Sequence, residues 1–220
     1  MAKKRFKNFL GFVLVFGPAF FFIVLVLFMN RSCEHKFETL DDYGRIDNFS
    51  FTDVNGKQRN SSEFDGDIVL ITTIQGSCPD DCSISLWYIN QMIYQHIWKN
   101  RTKKRKRIRI LSFITNHNGK PLQQLKTLSE TLKNKVENFD PSIWILASGD
   151  PKSVYNHQSN GQSLIQDGEG FNELMLLMDK KHHLRMVLSG NREGHIRRMK
   201  QTMALLQKQY DKALVKPGKK

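Results

Sequence analysis

The sequence has few cysteines, with only three among its 220 residues. They are Cys33, Cys78 and Cys82, and no second cysteine pair or His-x-x-x-His pattern accompanies them. A tetrahedral zinc site needs four such ligands, so the sequence argues against one. Internal repeats and long low-complexity linkers are lacking as well. We therefore expect one α/β domain of ordinary size and no second domain.

Charged side chains are absent from residues 9–29. A helix rises ~1.5 Å per residue, so a segment of this length crosses a hydrocarbon core of about 30 Å. Neither an A-x-A cleavage pattern nor a lipoprotein box leads into residues 30–33, which favours an uncleaved transmembrane helix over a signal peptide. The alternative, a core helix of a soluble protein, would have to be apolar on every face.

The flanks of this segment differ in charge. Residues 1–8 are strongly basic and the residues after the segment are mixed, so the positive-inside tendency places the N-terminus in the cytoplasm. Residues 30–45 are then a linker to an extracytoplasmic domain. The absence of an Arg-rich, acid-poor presequence favours a bacterial membrane over a mitochondrial one. We expect a single-pass protein of the inner (cytoplasmic) membrane with its domain in the periplasm.

Acidic residues are scarce: 21 Asp and Glu stand against 34 Lys and Arg, which gives a formal charge of +13. Nucleic acid is the usual partner of so basic a chain, but an extracytoplasmic domain excludes it. Much of the excess lies in the run from Arg101 to Arg109 and in residues 216–220. Both stretches are interpreted as solvent-exposed edges of the domain. The alternative for the run from Arg101 to Arg109 is contact with anionic lipid headgroups or with an acidic partner.

The folded part alternates strands with helices. Residues 48–52 alternate in polarity before an Asn55-Gly56 turn, which predicts an N-terminal β-hairpin. Residues 68–74 are a β-branched run typical of a central strand buried on both faces. The other predicted elements are helices over residues 83–99, 122–136 and 195–210 and strands over 108–115, 143–147, 174–178 and 184–188. This order predicts a thioredoxin-like α/β fold over residues 46–210, followed by a basic tail, 211–220.

Cys78 and Cys82 form a Cys-x-x-x-Cys pair between the predicted central strand and the next predicted helix. The amides and dipole of a helix N-terminus stabilise a thiolate, the form that attacks disulfides or binds a soft metal. The spacing lets both sulfurs close a disulfide or converge on one Cu(I) ion. Asp80 and Asp81 place two carboxylates beside the thiols, where they raise the thiol pKa and attract a cation. They therefore favour metal binding over fast disulfide exchange. A structural disulfide is the alternative, and Cys33 is the odd cysteine.

Short motifs mark most of the domain, from about residue 46 to about residue 206. They are Phe49-Ser50-Phe51-Thr52-Asp53 with Gly56-Lys57, Phe64-x-Gly66, Ser77-Cys78-Pro79-x-x-Cys82, Leu111-Ser112-Phe113, Trp144-Ile145-Leu146 and Gly149-Asp150-Pro151-Lys152-Ser153-Val154-Tyr155-Asn156. Together they resemble the Sco/SenC family. Its members are membrane-tethered thioredoxin-fold proteins that deliver copper to the Cu-A centre of cytochrome c oxidase or act there as thiol–disulfide reductants.

The resemblance implies that copper is held by the two cysteines and by a histidine eight residues before the aspartate of the last hairpin. In this chain Phe171 stands at that position, before Asp179. Ser83 replaces a usual proline, and Asn116-His117 replaces an acidic stretch. His157 is the best substitute for the missing ligand. Two thiolates alone can hold Cu(I), whereas Cu(II) prefers further nitrogen or oxygen ligands.

The sequence therefore predicts a divergent Sco-like protein that binds Cu(I) through Cys78 and Cys82, with His157 as a further candidate ligand. The expected partner is a respiratory oxidase subunit or another thiol or copper protein, and a metallochaperone is favoured over an enzyme. Two alternatives remain. One is a thiol–disulfide oxidoreductase in which Cys78 attacks and Cys82 resolves the mixed disulfide. The other is a membrane-held interaction protein with a structural disulfide.

Overall fold

The computed structural model of the protein describes residues 16–25, 40–76, 78, 84–100, 108–115, 119–159, 162–163 and 173–215, without the side chains of 162–163 and 212–215. The chain divides into two compact units, Met1–Thr39 and Leu40–Lys220. Several residues singled out by the sequence lie outside the described residues: Cys33, Asp80, Asp81, Cys82, Ser83, Asn116, His117 and Phe171.

The first unit contains a helix over residues 16–25. This helix falls within the segment 9–29 that the sequence predicts to cross a membrane. Among the described residues, no helix combines the length and the apolar character that a membrane span requires. The anchor, the linker and the topology stay predictions.

The second unit is built on a seven-stranded sheet of order β2-β1-β5-β4-β3-β8-β9. Its three inner strands β3, β4 and β5 are parallel, and every other neighbouring pair is antiparallel. A separate two-stranded ribbon is formed by β6 and β7. In chain order the strands are β1 (Ser50–Asp53), β2 (Gln58–Asn60), β3 (Ile68–Gln75), β4 (Ile108–Thr115), β5 (Trp144–Ser148), β6 (Gln158–Ser159), β7 (Gln162–Ser163), β8 (Leu174–Met178) and β9 (Leu184–Ser189).

Helices fill the connections between the parallel strands. The first, α1, has three consecutive parts, and a single 3-10 turn precedes β3. The helices are α1 (Leu86–Tyr88, a π-helical part Ile89–Tyr94, and Gln95–Asn100), α2 (Pro121–Lys135), α3 (Lys152–Tyr155) and α4 (Glu193–Val215), and the 3-10 turn is Ser61–Phe64. The α/β order predicted from the sequence is therefore confirmed, including both terminal hairpins.

Three predicted features need correction. The middle strand of the seven is β4 and not β3, because the β1–β2 hairpin adds to the free edge of β5. The helix predicted from residue 83 begins at Leu86, where Ser85 acts as its N-cap. The last helix runs from Glu193 to Val215 and so exceeds the predicted 195–210 at both ends. The helix can be this long because its first turn is acidic and because no proline lies between Glu193 and Pro217.

The core lies on both faces of the sheet. Along β3 every residue is buried, and alternate side chains join different clusters because successive residues of a strand point to opposite faces. Ile68, Leu70 and Ile74 pack with residues of α1, α2 and α4, whereas Val69 and Ile71 pack with the aromatic residues of the N-terminal hairpin. The strand that leads to the cysteine motif is thus held from both sides.

Residues 40–46, which we call the N-terminal strap, lie along the start of β9. The amide of Tyr43 donates to the carbonyl of Leu184, and the amide of Leu184 donates to the carbonyl of Gly44, both at 2.9 Å. Arg45 forms a bridge with His183. The carboxylate of Asp42 lies 3.0 Å from Nδ1 of His183. The strap therefore covers the outer edge of the sheet, an edge that would otherwise be open to pairing.

Residues 101–107 of the basic run lie outside the described residues, and Arg109 is the part of the run for which the structure shows a partner. Nε of Arg109, the last residue of the run and the second of β4, lies 2.6 Å from a carboxylate oxygen of Asp67. Its guanidinium also sits over the ring of Phe64, 6.0 Å from the centroid. The interpretation of the run as a solvated edge is therefore wrong for Arg109, whose side chain ties β4 to the residue before β3.

Candidate functional site

Cys78 lies just beyond the carboxyl end of β3. The amide of Gly76 donates to the carbonyl of Thr115 at 3.0 Å, which extends the ladder between β3 and β4. The amide of Cys78 donates to the carbonyl of Gln75, also at 3.0 Å, and closes a turn over the strand end. Cys78 is 8 % exposed and is disulfide-bonded. Cys82 lies outside the described residues, so its predicted role is untested.

Cys78 does not cap α1, the first helix described after it. Its amide bonds to a strand carbonyl, and α1 begins only at Leu86, capped by Ser85, whose Oγ accepts a hydrogen bond from the amide of Tyr88 at 3.4 Å. Cys78 therefore lies outside the first turn of α1, and the prediction that a helix N-terminus stabilises its thiolate stays a prediction.

The far side of the cysteine loop is fixed by contact with the closing hairpin. Ile84, the first described residue after the loop, is 2 % exposed. It packs so closely on Gly190 that a Cβ there would lie 2.8 Å from Cγ1 and Cγ2 of Ile84. The amide of Ser85 donates to the Gly190 carbonyl at 3.1 Å. A glycine is needed at this position because the two segments approach too closely for a side chain.

Two buried polar residues end β3 and β4, the strands on which the Cys78 turn is built. Oε1 of Gln75 lies 3.6 Å from Sγ of Cys78, and Gln75 is 4 % exposed. Thr115 is the partner of Gln75 in the β3–β4 register and is 8 % exposed. Sequence reasoning missed both residues. The available signal was a polar side chain at the last position of each of the two strands.

His157 contacts the N-terminal strap. Its Nε2 lies 2.8 Å from the carbonyl oxygen of Tyr43. Tyr43 bonds to Leu184, which the sheet register aligns with Val69 near the start of β3, whereas Cys78 follows the other end of that strand. The structure therefore does not bring Nε2 of His157 to the sulfur. A ligand role for His157 stays a prediction and would have to use Nδ1 or a rearranged loop.

The sulfur chemistry of the site fits a soft metal ion better than a hard one. Cys78 supplies a soft donor in a buried position, and such donors select Cu(I) over ions that prefer carboxylate or water. Among the described residues, no three side chains of His, Cys, Asp or Glu gather closely enough to hold a metal. Any copper site on this chain therefore depends on the cysteine loop itself.

Neither a family model nor a curated protein matches the chain, whereas solved structures do. One is BsSco, a member of the Sco family of cytochrome c oxidase assembly proteins in which a disulfide switch was identified. The match has a TM-score of 0.54 at 14 % identity and covers 78 % of this chain and 97 % of that one. Copper-bound ScoI from Arabidopsis thaliana matches with a TM-score of 0.50 at 16 % identity, over 76 % of this chain and 100 % of the other. The thioredoxin domain of a thiol-disulfide oxidoreductase from Bacteroides vulgatus matches with a TM-score of 0.45 at 15 % identity, over 74 % and 98 %.

The similarities to BsSco and to ScoI from Arabidopsis thaliana confirm the fold that the motifs predicted. The structural neighbours of the chain include Sco family proteins, and its mixed α/β sheet is of the thioredoxin-like type. At identities this low the likeness concerns the backbone arrangement. What the cysteine loop of this chain binds has to be argued from its own residues.

Proposed function

We propose that the chain is a divergent Sco-family protein that binds Cu(I) through Cys78 and Cys82 and serves the assembly of the Cu-A centre of cytochrome c oxidase. One observation carries the proposal. A nearly buried cysteine sulfur stands at the carboxyl end of β3, in a fold shared with a copper-bound ScoI. Ligands of open α/β sheets characteristically bind at the carboxyl ends of parallel strands.

The chemistry of the loop agrees with Cu(I). Thiolates are soft ligands, and Cu(I) accepts as few as two of them. Binding requires reduction of the disulfide and release of two thiol protons, so copper uptake is coupled to the redox state and to pH. Because Phe171 stands in place of the histidine that the family resemblance implies, the two sulfurs carry the affinity for Cu(I).

Location and partner belong to the same proposal. A helix over residues 9–29 would hold the domain at the outer face of the inner membrane, with residues 1–8 in the cytoplasm. Copper would then pass from the cysteine pair to a respiratory oxidase subunit or to another thiol or copper protein. Protease protection in spheroplasts tests the topology, since an external protease should degrade the domain and an internal domain would survive.

A competition titration tests the copper proposal. The reduced full-length chain is titrated anaerobically with Cu(I) against a chromophoric chelator, beside a Cys78→Ser, Cys82→Ser double variant and a Cys33→Ser control. We expect one Cu(I) per chain, bound tightly enough to compete, with loss in the double variant and retention in the control. Failure of the reduced wild-type chain to compete would overturn the copper proposal.

A second function is favoured by the disulfide at Cys78. In that reaction a Cys78 thiolate attacks a partner disulfide and releases one partner thiolate, and Cys82 then attacks the mixed disulfide. The chain ends oxidised and the partner gains two electrons and two protons. If the reduced chain reduces a model protein disulfide stoichiometrically but does not compete for Cu(I), the reductase replaces the copper protein as the better account.

A further inference from the structure

Three large apolar side chains are exposed in the described part of the second unit. They are Trp87, which is 64 % exposed, and Leu122 and Leu205, which are each 38 % exposed. Single exposed apolar residues are common on protein surfaces and need no explanation by themselves. Their positions in the fold decide whether they form a binding surface.

Trp87 and Leu122 both lie at the end of the sheet that carries Cys78. The strands β3 and β4 are parallel and therefore end on the same side of the domain. The helices α1 and α2 follow these strands, so both begin at that side, and Trp87 and Leu122 belong to their first turns. The two exposed apolar residues thus stand at the mouth of the candidate site.

Leu205 has a different position. It lies twelve residues beyond Glu193, where α4 begins, so a rise of ~1.5 Å per residue places it about 18 Å further along that helix. It is as exposed as Leu122 and so provides a matched control for it.

The position of Trp87 is fixed by its neighbours. Ser85 caps α1, and its amide donates to the carbonyl of Gly190 at 3.1 Å. The ring of Trp87 meets that of Tyr88 edge to face, with the centroids 5.0 Å apart. A tryptophan held in this way offers a large contact area, and tryptophan is among the residues that most often dominate the energy of protein interfaces.

Leu122 borders a surface depression of about 420 Å³. This depression combines two apolar side chains with two lysines, and no carboxylate lines it among the described residues. Both lysines are exposed. Its apolar surface is therefore bordered by positive charge, and it is complementary to an apolar side chain flanked by carboxylates. The lining residues are Lys120, Pro121, Leu122, Gln123 and Lys126.

We propose that Trp87 and the depression at Leu122, which we call the docking surface, bind an acidic protein partner whose copper-accepting residues then meet the cysteine pair. The inference rests on the proposed copper function and deepens it by stating where and by what chemistry the partner is recognised. Cu(I) passes from two thiolates to the ligands of the partner without a change of oxidation state, and the protons that the partner's thiols lose are taken up by the thiolates that release the ion.

A transfer assay tests the docking surface. The reduced full-length chain, loaded with one Cu(I), is mixed anaerobically with the reduced, metal-free Cu-A domain of the oxidase from the same organism. The initial rate of copper transfer is followed against the concentration of that domain. Trp87→Ala and Leu122→Ala are compared with wild type and with Leu205→Ala. Transfer to a chromophoric chelator serves as the reaction that requires no docking and reports whether each variant is folded and loaded.

We expect Trp87→Ala to raise the half-saturating concentration of the Cu-A domain by about tenfold or more, and Leu122→Ala by about threefold or more, because a few residues carry most of the energy of an interface. Leu205→Ala should stay within about twofold of wild type. All four chains should deliver copper to the chelator at the same rate.

Two charge reversals test the acidic character of the partner. Lys126→Glu and Lys208→Glu change the net charge equally, but Lys126 lines the depression and Lys208 is exposed far along α4. Lys126→Glu should weaken transfer to the Cu-A domain more than Lys208→Glu does, and added salt should reduce the difference. Equal effects of the two reversals would overturn the charge complementarity.

The outcomes separate the docking surface from the proposed function. Equal half-saturating concentrations for Trp87→Ala, Leu122→Ala and Leu205→Ala, beside an active wild type, would overturn the docking surface alone. Weaker binding of both variants to phosphatidylglycerol vesicles with unchanged transfer would assign the surface to the membrane and overturn it as well. Wild type that binds Cu(I) but transfers none to the Cu-A domain would overturn the proposed function together with this inference.

Discussion

The contact between Ile84 and Gly190 makes a sharp prediction about how the cysteine loop is held. A Cβ at residue 190 would lie 2.8 Å from both Cγ atoms of Ile84 and 3.2 Å from its Cβ. Those atoms belong to a branched side chain that is 2 % exposed, so it has little room to move. Overpacking of this kind costs about 1–3 kcal/mol. We therefore expect Gly190→Ala to lower the free energy of unfolding by that amount.

A double-mutant cycle isolates the contact. Ile84→Ala alone leaves a cavity and should cost about 2–5 kcal/mol. It also removes both Cγ atoms, so a methyl at residue 190 can then enter the vacated space. The double variant should consequently be no less stable than Ile84→Ala, and the two changes should be strongly non-additive. Urea denaturation followed by far-ultraviolet circular dichroism measures all three variants.

Gly194 provides the matched control, since a Cβ there would meet nothing within 4 Å. It lies in the first turn of α4, where alanine favours the helix, so Gly194→Ala should be neutral or stabilising by up to ~1 kcal/mol. The reasoning would be refuted if Gly190→Ala were as stable as wild type, or if its cost and that of Ile84→Ala simply added.

Three further predictions concern interactions away from the loop. Ser112→Ala should cost about 1–3 kcal/mol in urea denaturation, because Oγ of Ser112 accepts a buried hydrogen bond at 2.9 Å from Nε1 of Trp144, which would lose its partner. Arg109→Ala should cost about 1–3 kcal/mol by the same measurement, because it leaves the largely buried Asp67 without its 2.6 Å partner. Burial alone would raise the pKa of Asp42, but a backbone amide, an imidazole and a guanidinium outweigh it and hold the pKa below its usual value. A depressed pKa contributes stability above the unfolded value near ~3.9 and loses it as pH falls through the folded value. The stability difference between wild type and Asp42→Asn should thus shrink below about pH 4.

The predictions for Ser112 and Arg109 each have a control of the same chemistry. Thr131→Ala removes an exposed hydroxyl that bonds to a helix carbonyl, and Arg197→Ala removes an exposed pair with Glu193. Both should change stability by less than about 0.5 kcal/mol. Equal losses in buried and exposed variants would contradict the account of Ser112 and Arg109. A pH-independent difference for Asp42→Asn would show that the carboxylate does not clamp the N-terminal strap.

The strands could be predicted because their signals are local. The run from Ile68 to Ile74 is β-branched except at Leu70, and its only polar residues are two threonines. That pattern is typical of a strand covered on both faces, and β3 is buried at all eight positions. The Asn55-Gly56 turn is equally local, because Gly56 has a φ of 79° that few other residues adopt. Such features are set by the local sequence and do not depend on which distant residues pack against them.

The features that could not be predicted depend on distant partners. Arg109 belongs to a run that looks solvated, but its side chain pairs with Asp67, the residue before the neighbouring strand β3. The first helical turn of α1 is displaced because Ile84 is committed to Gly190, more than one hundred positions along the chain. The β6–β7 ribbon has two polar residues in each strand and no apolar pattern to reveal it.

In the candidate site, too, the local features could be predicted and the long-range contacts could not. The position of Cys78 after β3 followed from the sequence, since a buried strand ends where polar residues begin. Its neighbours did not, because the contact between Gln75 and the sulfur depends on a backbone turn rather than on residue type. The contact between His157 and Tyr43 could not be predicted either, because it depends on the position of the N-terminal strap along β9.

The central claim is that the cysteine pair itself binds copper, and X-ray absorption at the copper edge tests it most directly. The reduced full-length chain is loaded with one equivalent of Cu(I), separated from unbound metal and measured anaerobically. The account predicts two sulfur neighbours around each copper ion, and their loss in the Cys78→Ser, Cys82→Ser variant. A wild-type spectrum fitted by nitrogen and oxygen neighbours alone would contradict it, because copper would then be bound elsewhere on this basic, histidine-containing chain.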